Sequence, residues 1–541
     1  MSTKPTEQKN YNKQFFSGVA ILAISTFIVK IIGLFYKIPM IAYLGAEGMG
    51  YFNSAYDIYS LFFVISTTGL PVAISILVSE NKALGRLENI KRIFKISLIF
   101  LSVIGLIGTV LLFIFHNEIA ILIKNDNASF SLMAISPTLF LICISSAIRG
   151  YFQGDQKMLP TAVSQVIEAL GKLLLGVGFA IIAIDKGYSI PIVASYATVG
   201  LTLGVALSLL YLILSKLLSK LSAPNISTSN HIDSSHSISK KLLQIAIPIT
   251  ISSTILSLTK IIDMTMILRR LNDIGYSQIE ANEVYGSYST MAVSIYNLPA
   301  ALVSAIALPL VPLLASAIET GDRVKEKSVI SSAIKLTSLI GLPTGLGISV
   351  FSKPILTLLF SSQENEIEYV APLLSFLGLS VFLSSMITVT NAILQSYQLV
   401  NKPIISMIIG TLVKIVSSYM LIGNPKINIY GAPISTFFSV VVIVSMNLYF
   451  IIKRSGKIGS VNSLFIKPFV AAAIAIVCGI AVYLLLPISA SARILLTVVF
   501  VVIIYVLTIL KLRVISAEEI TMLPKGEKLL RILQKINLYK R

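Results

Sequence analysis

Charge is what this chain most lacks. Asp, Glu, Lys and Arg make up only 12% of its 541 residues, about half the share of an ordinary soluble protein. Tryptophan is absent, and there are only two cysteines and three histidines. Cys143 and Cys478 both sit inside apolar runs, where a free cysteine behaves as a small hydrophobe. Two such residues build neither a disulfide framework nor a metal site. His116, His231 and His236 fall in polar connections, the place of surface residues rather than ligands. No GxxxxGK[ST] phosphate loop occurs, so no ATP-driven engine is expected on this chain. No Ser/His/Asp grouping stands out either, and the expectation is of no catalytic residues, no metal and no cofactor.

What the chain has instead is apolar surface. Hydrophobic residues make up 55% of it and its mean hydropathy is +0.87. A soluble core of this length could not hide so much, so the expected solvent is the phospholipid bilayer. Runs long enough to span, at about 20 residues each, fall near 15–43, 56–80, 93–115, 129–152, 159–184 and 190–215. Eight more fall near 242–268, 287–318, 328–352, 368–397, 403–423, 428–452, 465–486 and 492–512. The first run is far longer than the roughly 7–15 apolar residues of a signal peptide, and it reads as the first spanning helix. The expected fold is thus an all-α polytopic membrane protein of about fourteen helices.

Basic residues set the orientation. The chain carries 43 Lys+Arg against 24 Asp+Glu, an excess that in a membrane protein belongs to cytoplasmic loops rather than to nucleic acid. With the N-terminus inside, thirty basic residues fall in cytoplasmic tails and loops. Seven fall outside: Lys124, Lys186, Arg269, Arg270, Lys353, Lys426 and Arg493. Both termini are therefore expected in the cytoplasm.

The domain reading follows. Residues 1–14 form a cytoplasmic tail, 15–215 a first six-helix lobe and 216–241 a Ser/Asn-rich cytoplasmic linker. Residues 242–452 form a second six-helix lobe, 453–513 helices 13 and 14, and 514–541 a basic amphipathic tail suited to the inner membrane face. The halves echo one another: KIIG at Lys30–Gly33 answers KIID at Lys260–Asp263. AIRGYFQGDQKMLP, ending at Pro160, answers AILQSYQLVNKP, ending at Pro403, and Lys172 and Lys414 follow at similar distance. That common order suggests a parallel duplication, as in many transporters.

Six lysines remain inside proposed helices: Lys30, Lys37, Lys172, Lys260, Lys335 and Lys414. A charge at the bilayer centre costs ~2.5–3.5 kcal/mol on insertion scales, so each should face water or a partner. Lys335 is near enough to the cytoplasmic side to snorkel. Lys30 and Lys37, seven residues apart, share a helical face at about 10 Å. Thr26 and Gly33 join their stripe, the glycine leaving room between the two ammonium groups. Thr250, Ser253, Ser257 and Lys260 make a similar stripe in the seventh helix. Glu168 and Lys172 (i,i+4) and Lys260 and Asp263 (i,i+3) can pair on their own helices, as structural ion pairs or as part of a coupling site. Lys30 and Lys37 have no acid in their own span, with Asp57 read as a solvated residue at the start of the second. A cationic wall of that kind suits a phosphate or pyrophosphate.

Three stretches carry a resemblance: SSAIRGYFQGDQKMLPTAVSQVIE (Ser145–Glu168), STTGLPVAISILVSE (Ser66–Glu80) and KINIYGAPIST (Lys426–Thr436). They resemble the stage V sporulation protein B branch of bacterial polysaccharide exporters, which includes the MurJ-like lipid II flippases. The resemblance implies a MOP-superfamily fold: two six-helix lobes around a central cavity, with two extra C-terminal helices. It implies a plasma-membrane flippase for an undecaprenyl-pyrophosphate-linked glycan lipid, with cell-wall synthesis proteins as its protein partners. In that branch basic residues of the first helix contact the pyrophosphate; Lys30, in VKIIG, matches the first such position and Lys37 a neighbouring one. The basic residue that enterobacterial members carry into the eighth helix is missing from MAVSIYNLP (Met291–Pro299), so that contact is expected to be either absent or replaced by another residue such as Lys260. The alternatives are a cation-coupled multidrug exporter of the same superfamily, an exporter of another polyprenyl-linked glycan, and a non-transporting scaffold.

Overall fold

The computed structural model describes residues 5–219, 233–456 and 458–514. Most of the expected linker and the amphipathic tail beyond Val514 lie outside the described residues. Within them the regular structure is helical throughout. In chain order the helices are α1 (Pro5–Thr67), α2 (Gly69–Ala83), α3 (Leu87–Ile114), α4 (His116–Leu122), α5 (Ser129–Gly154) and α6 (Met158–Asp185). Then come α7 (Ile190–Leu218), α8 (Ser235–Asp273), α9 (Gln278–Ser287), α10 (Val293–Tyr296), α11 (Leu298–Glu319) and α12 (Arg323–Val350). The last six are α13 (Ser352–Leu359), α14 (Glu364–Ser396), α15 (Asn401–Ile422), α16 (Gly431–Ser455), α17 (Lys467–Leu485) and α18 (Ala490–Lys511).

Among the described residues, twelve helical stretches are long and apolar enough to cross a membrane, by length and composition. The sequence leads to an expectation of fourteen. One of the twelve, Ile24–Ala83, runs for 60 residues, about three times what one crossing needs, and holds two of the expected spans. Its path breaks at Gly45, where φ is 65° and ψ −177°. That left-handed φ admits glycine without strain, and it lets the chain turn with no loop. The expected eighth span overlaps α11, an apolar helix of 22 residues that is not among the twelve.

The helices gather into two compact units. Among the described residues, the first comprises those within Met1–Thr290 and Ser418–Ile429, the second those within Met291–Ser417 and Tyr430–Arg541. In the first unit α6 packs on α7, α3 and α7 on α5, and α1 on α6. Its core joins Leu70, Ile74 and Val78 of α2 to Ile90, Leu101, Tyr151, Phe152 and Leu212. Also in this unit, α8 packs against α1 and α2. In the second unit α14 is central, touching α11, α12 and α16, while α17 and α18 pair and join through α12 and α13. Its main core includes Val303, Ile334, Val389, Ile393 and Ile451.

The outward surface explains the composition. Leu495, Val499, Val502 and Val506 recur along one exposed face of α18, and Val103, Leu106, Ile107 and Val110 along one of α3. In water such stripes would be sticky patches; against acyl chains they are the ordinary solvent contact. Buried hydroxyls are largely satisfied locally, as where Ser338 and Thr337 donate to carbonyls one turn back at 3.0 and 2.8 Å, the usual solution for such residues in an apolar helix.

Candidate functional site

The lysines of α1 occupy different surroundings. Thr26, Lys30 and Gly33 are exposed, and no atom lies within 4 Å of where a Cβ on Gly33 would stand. Among the described residues Lys30 makes no hydrogen bond or ion pair. Lys37, one face-repeat further, is half-buried and donates from Nζ to the Ser289 carbonyl at 3.3 Å. An ammonium has three donors, so this contact anchors the side chain without exhausting it.

Asp57 is the residue that the sequence reading undervalued. It is not simply solvated: its Oδ2 accepts from the Tyr285 hydroxyl at 2.6 Å, and the Ser289 side chain also bonds that tyrosine. The charges of Lys260 and Lys37 act on Asp57 favourably, and that of Asp263 unfavourably. Four ionisable groups from α1 and α8 thus share one electrostatic neighbourhood, with Tyr285 of α9 beside them. The signal was available, because a carboxylate in an apolar run is as costly as a lysine and SAYDIYS carries one. The polar stripe of α8 is only partly open. Lys260 is exposed, but Ser257 is buried, and Thr250 packs its hydroxyl against Gly69 of α2, 2.1 Å from where a Cβ would sit.

A second charged group is closed. Glu168 of α6 accepts from Lys172 Nζ at 2.9 Å on one oxygen and from Arg149 at 3.0 Å on the other. Arg149 also donates to the hydroxyls of Ser164 and Ser208, each at 3.0 Å. Lys172 lies 5.8 Å from the centre of the Tyr56 ring. Arg149 corrects the loop count, in which it stood among the inner-loop cations; it is 6% exposed, inside α5. Lys414 is also buried, at 6%, in α15 of the second unit.

A polar knot positions α9 beside the α1 cluster. Asn282 accepts from Asn125 at 2.7 Å and donates to the Glu47 carbonyl at 2.8 Å, while Asn125 also donates to Ser54. Asn53 donates to Thr290 at 2.7 Å. The helices approach closely enough that a Cβ on Gly50 would stand 2.2 Å from Asn282 Oδ1, and one on Gly286 2.1 Å from the Ala46 carbonyl. Tyr285 is carried on this tightly held helix, which fixes where it meets Asp57. The arrangement offers cationic donors for an anion and a carboxylate to compete with it; it offers no nucleophile set up by a base.

Comparison with known proteins agrees with this architecture. The family model described as "Polysaccharide biosynthesis protein" matches residues 15–318, and the model described as MatE matches residues 286–420. The chain is 27% identical over 426 residues to the lipid II flippase MurJ of Bacillus subtilis (strain 168), covering 76% of this chain and 78% of that one. It is 26% identical over 438 residues to the stage V sporulation protein B of the same organism, covering 80% and 82%. A solved structure, the lipid II flippase MurJ in an inward closed conformation, superposes with a TM-score of 0.69 at 17% identity, covering 90% of this chain and 98% of that one. The fold is that of the flippases and MATE transporters of the MOP superfamily. With more than half its length matched by the model, the chain belongs to the polysaccharide biosynthesis protein family.

Proposed function

We propose that the chain is a flippase. It carries an undecaprenyl-pyrophosphate-linked saccharide, the peptidoglycan precursor lipid II above all, from the inner to the outer leaflet of a bacterial plasma membrane by alternating access. The observation that carries this reading is the α1 face, where Lys30 stands exposed beside open space and Lys37 is anchored by one carbonyl. Lys30, Lys37 and Lys260 take the pyrophosphate as point charges, with Thr26 and Gly33 shaping the approach. Asp57 and Asp263 hold the lysines' charge when no substrate is present. The relatives' names support the substrate class. The domain reading stands as part of the proposal: two repeated lobes, both termini in the cytoplasm, and helices 13 and 14 as an addition. Cell-wall synthesis proteins are its partners, and the protein does transport rather than covalent chemistry.

The test is replacement of the lipid II flippases in a depletion strain by this chain. Lys30→Ala with Lys37→Ala is expected to abolish rescue and lipid flipping, by at least tenfold, at normal membrane abundance. Lys30→Arg is expected to retain part of it, because the charge survives. Full flipping by the double alanine variant overturns the assignment. A second reading, a cation-coupled exporter of the same superfamily, is favoured by the MatE match and by two carboxylates beside the lysines. It requires the parent chain to transport a lipophilic cation without flipping lipid, and Asp57→Asn to stop that transport.

A further inference from the structure

The seven basic residues assigned to the outer connections are few, yet three of them meet. Lys124, Arg269 and Arg270 line one cavity of about 450 Å³ in the first unit, together with Asn272, Gln278 and Tyr419. Lys124 and the arginine pair are far apart in sequence, so only the fold brings them together. Positive charge is depleted on the outer side as a rule, which makes the convergence a feature needing a reason. Asp273 is the one acid in the lining, so the pocket holds three cations against a single anion.

The guanidinium groups are pinned, and donors are left over. Arg269 donates one N–H to the Leu122 carbonyl at 2.6 Å. Arg270 donates Nε to the Tyr419 carbonyl at 3.1 Å, pairs with Asp273 and lies 4.0 Å over the Tyr419 ring. A guanidinium has five donors in a fixed fork, and these contacts orient each fork while leaving further N–H groups unused. Lys124, at a left-handed φ of 59°, stands exposed at the rim. The structural explanation, that Arg269 caps the end of α4, accounts for one of the cations and not for all three.

We propose that this pocket is a phosphate site on the outer face. It receives the phosphoryl groups of the exported lipid as they leave the α1 lysines, an assignment that rests on the flippase reading for its natural ligand. Pinned guanidinium groups suit tetrahedral oxyanions, which they bind by two parallel hydrogen bonds. A second site on the arrival side draws the headgroup outward and opposes its return.

The chain has no tryptophan, so Tyr419→Trp places a single reporter over Arg270 in the full-length protein. Titration with inorganic pyrophosphate is expected to give a saturable fluorescence change. Lys124→Gln with Arg269→Gln should weaken that binding by about tenfold, and Lys124→Gln alone, at an exposed position, by a smaller factor with the fold intact. The change should survive Lys30→Ala with Lys37→Ala, which separates this pocket from the α1 site. No saturable change, equal affinity in the pocket variants, or loss of signal in the α1 variant each overturns the proposal. In vesicles, undecaprenyl pyrophosphate is expected to compete more strongly than phosphatidylglycerol at equal charge; equal competition assigns the pocket to bulk anionic lipid and overturns its product role. Full flipping by the α1 variant would remove the α1 assignment while the fluorescence result stood.

Discussion

The Glu168 network and the Asp57 cluster begin as the same kind of sequence signal, an acid and a lysine buried in apolar helices, and end as opposites. In the first, both carboxylate oxygens are taken by cations, and Ser164 and Ser208 hold the arginine. In the second, Asp57 is hydrogen-bonded to a tyrosine, and the lysines that act on it keep donors to spare. A closed network stabilises and specifies; an open one can exchange partners. The presence of an intramembrane charge therefore says less than whether its partners are already committed.

The largest expected effect is in the closed network. Glu168→Gln leaves a buried Arg149 and a half-buried Lys172 without their counter-charge, a change worth about 3–5 kcal/mol. Membrane abundance and the thermal unfolding temperature should both fall sharply, and a fully stable variant would erase the contrast between the two clusters. Asp57→Asn is expected to be milder for the fold, about 1 kcal/mol, because the amide oxygen still accepts from Tyr285. Its effect belongs in binding: with a competitor gone, Lys37 and Lys260 should hold a pyrophosphate lipid several-fold more tightly and release it more slowly. Measuring lipid affinity and flipping together sharpens the comparison, and unfolding on the scale of Glu168→Gln would place both clusters in one class.

The smallest effect tests a group outside both. Glu280, in the first turn of α9, accepts from the Ser277 backbone N–H at 2.8 Å, in a capping box. Those hydrogen bonds hold its carboxyl below the usual carboxylate range. A lowered folded value means that the stabilisation is present above the unfolded value of about 4.3 and is lost as pH falls through the folded one. The group is fully exposed, so only local fraying is expected. Amide exchange at the start of α9 should quicken below about pH 4 in the parent protein and be insensitive there in Glu280→Gln.

Much of this was legible before any coordinates. Helical spans announce themselves because lipid leaves the backbone no other way to satisfy its hydrogen bonds, and the i,i+4 geometry of Glu168 and Lys172 is fixed by the helix itself. Arg149 was misplaced because a cation near a span's end looks the same whether it faces a loop or two serines on neighbouring helices. Asp57 was undervalued because its partner, Tyr285, is 228 residues away. Periodicity reports faces within one helix and is silent about which helix meets that face. The pocket of Lys124, Arg269 and Arg270 was hidden for the same reason, since its residues lie far apart in sequence and meet only in the fold. The break at Gly45 falls in the expected connection between the first two spans, although the sequence does not say that one glycine makes it.

The close approach of Gly50 and Gly286 has an evolutionary meaning. At either position even a methyl group collides with the neighbouring helix, at 2.2 and 2.1 Å, and the obstacles are a buried asparagine and a backbone carbonyl. No single substitution passes through that gap, so the α1–α9 contact is frozen under ordinary drift. Gly33, on the same helix α1, faces open space and tolerates side chains of many sizes. If the α1 face is the proposed substrate site, divergence in cargo has its accessible route there, around Lys30, while the α1–α9 contact stays fixed.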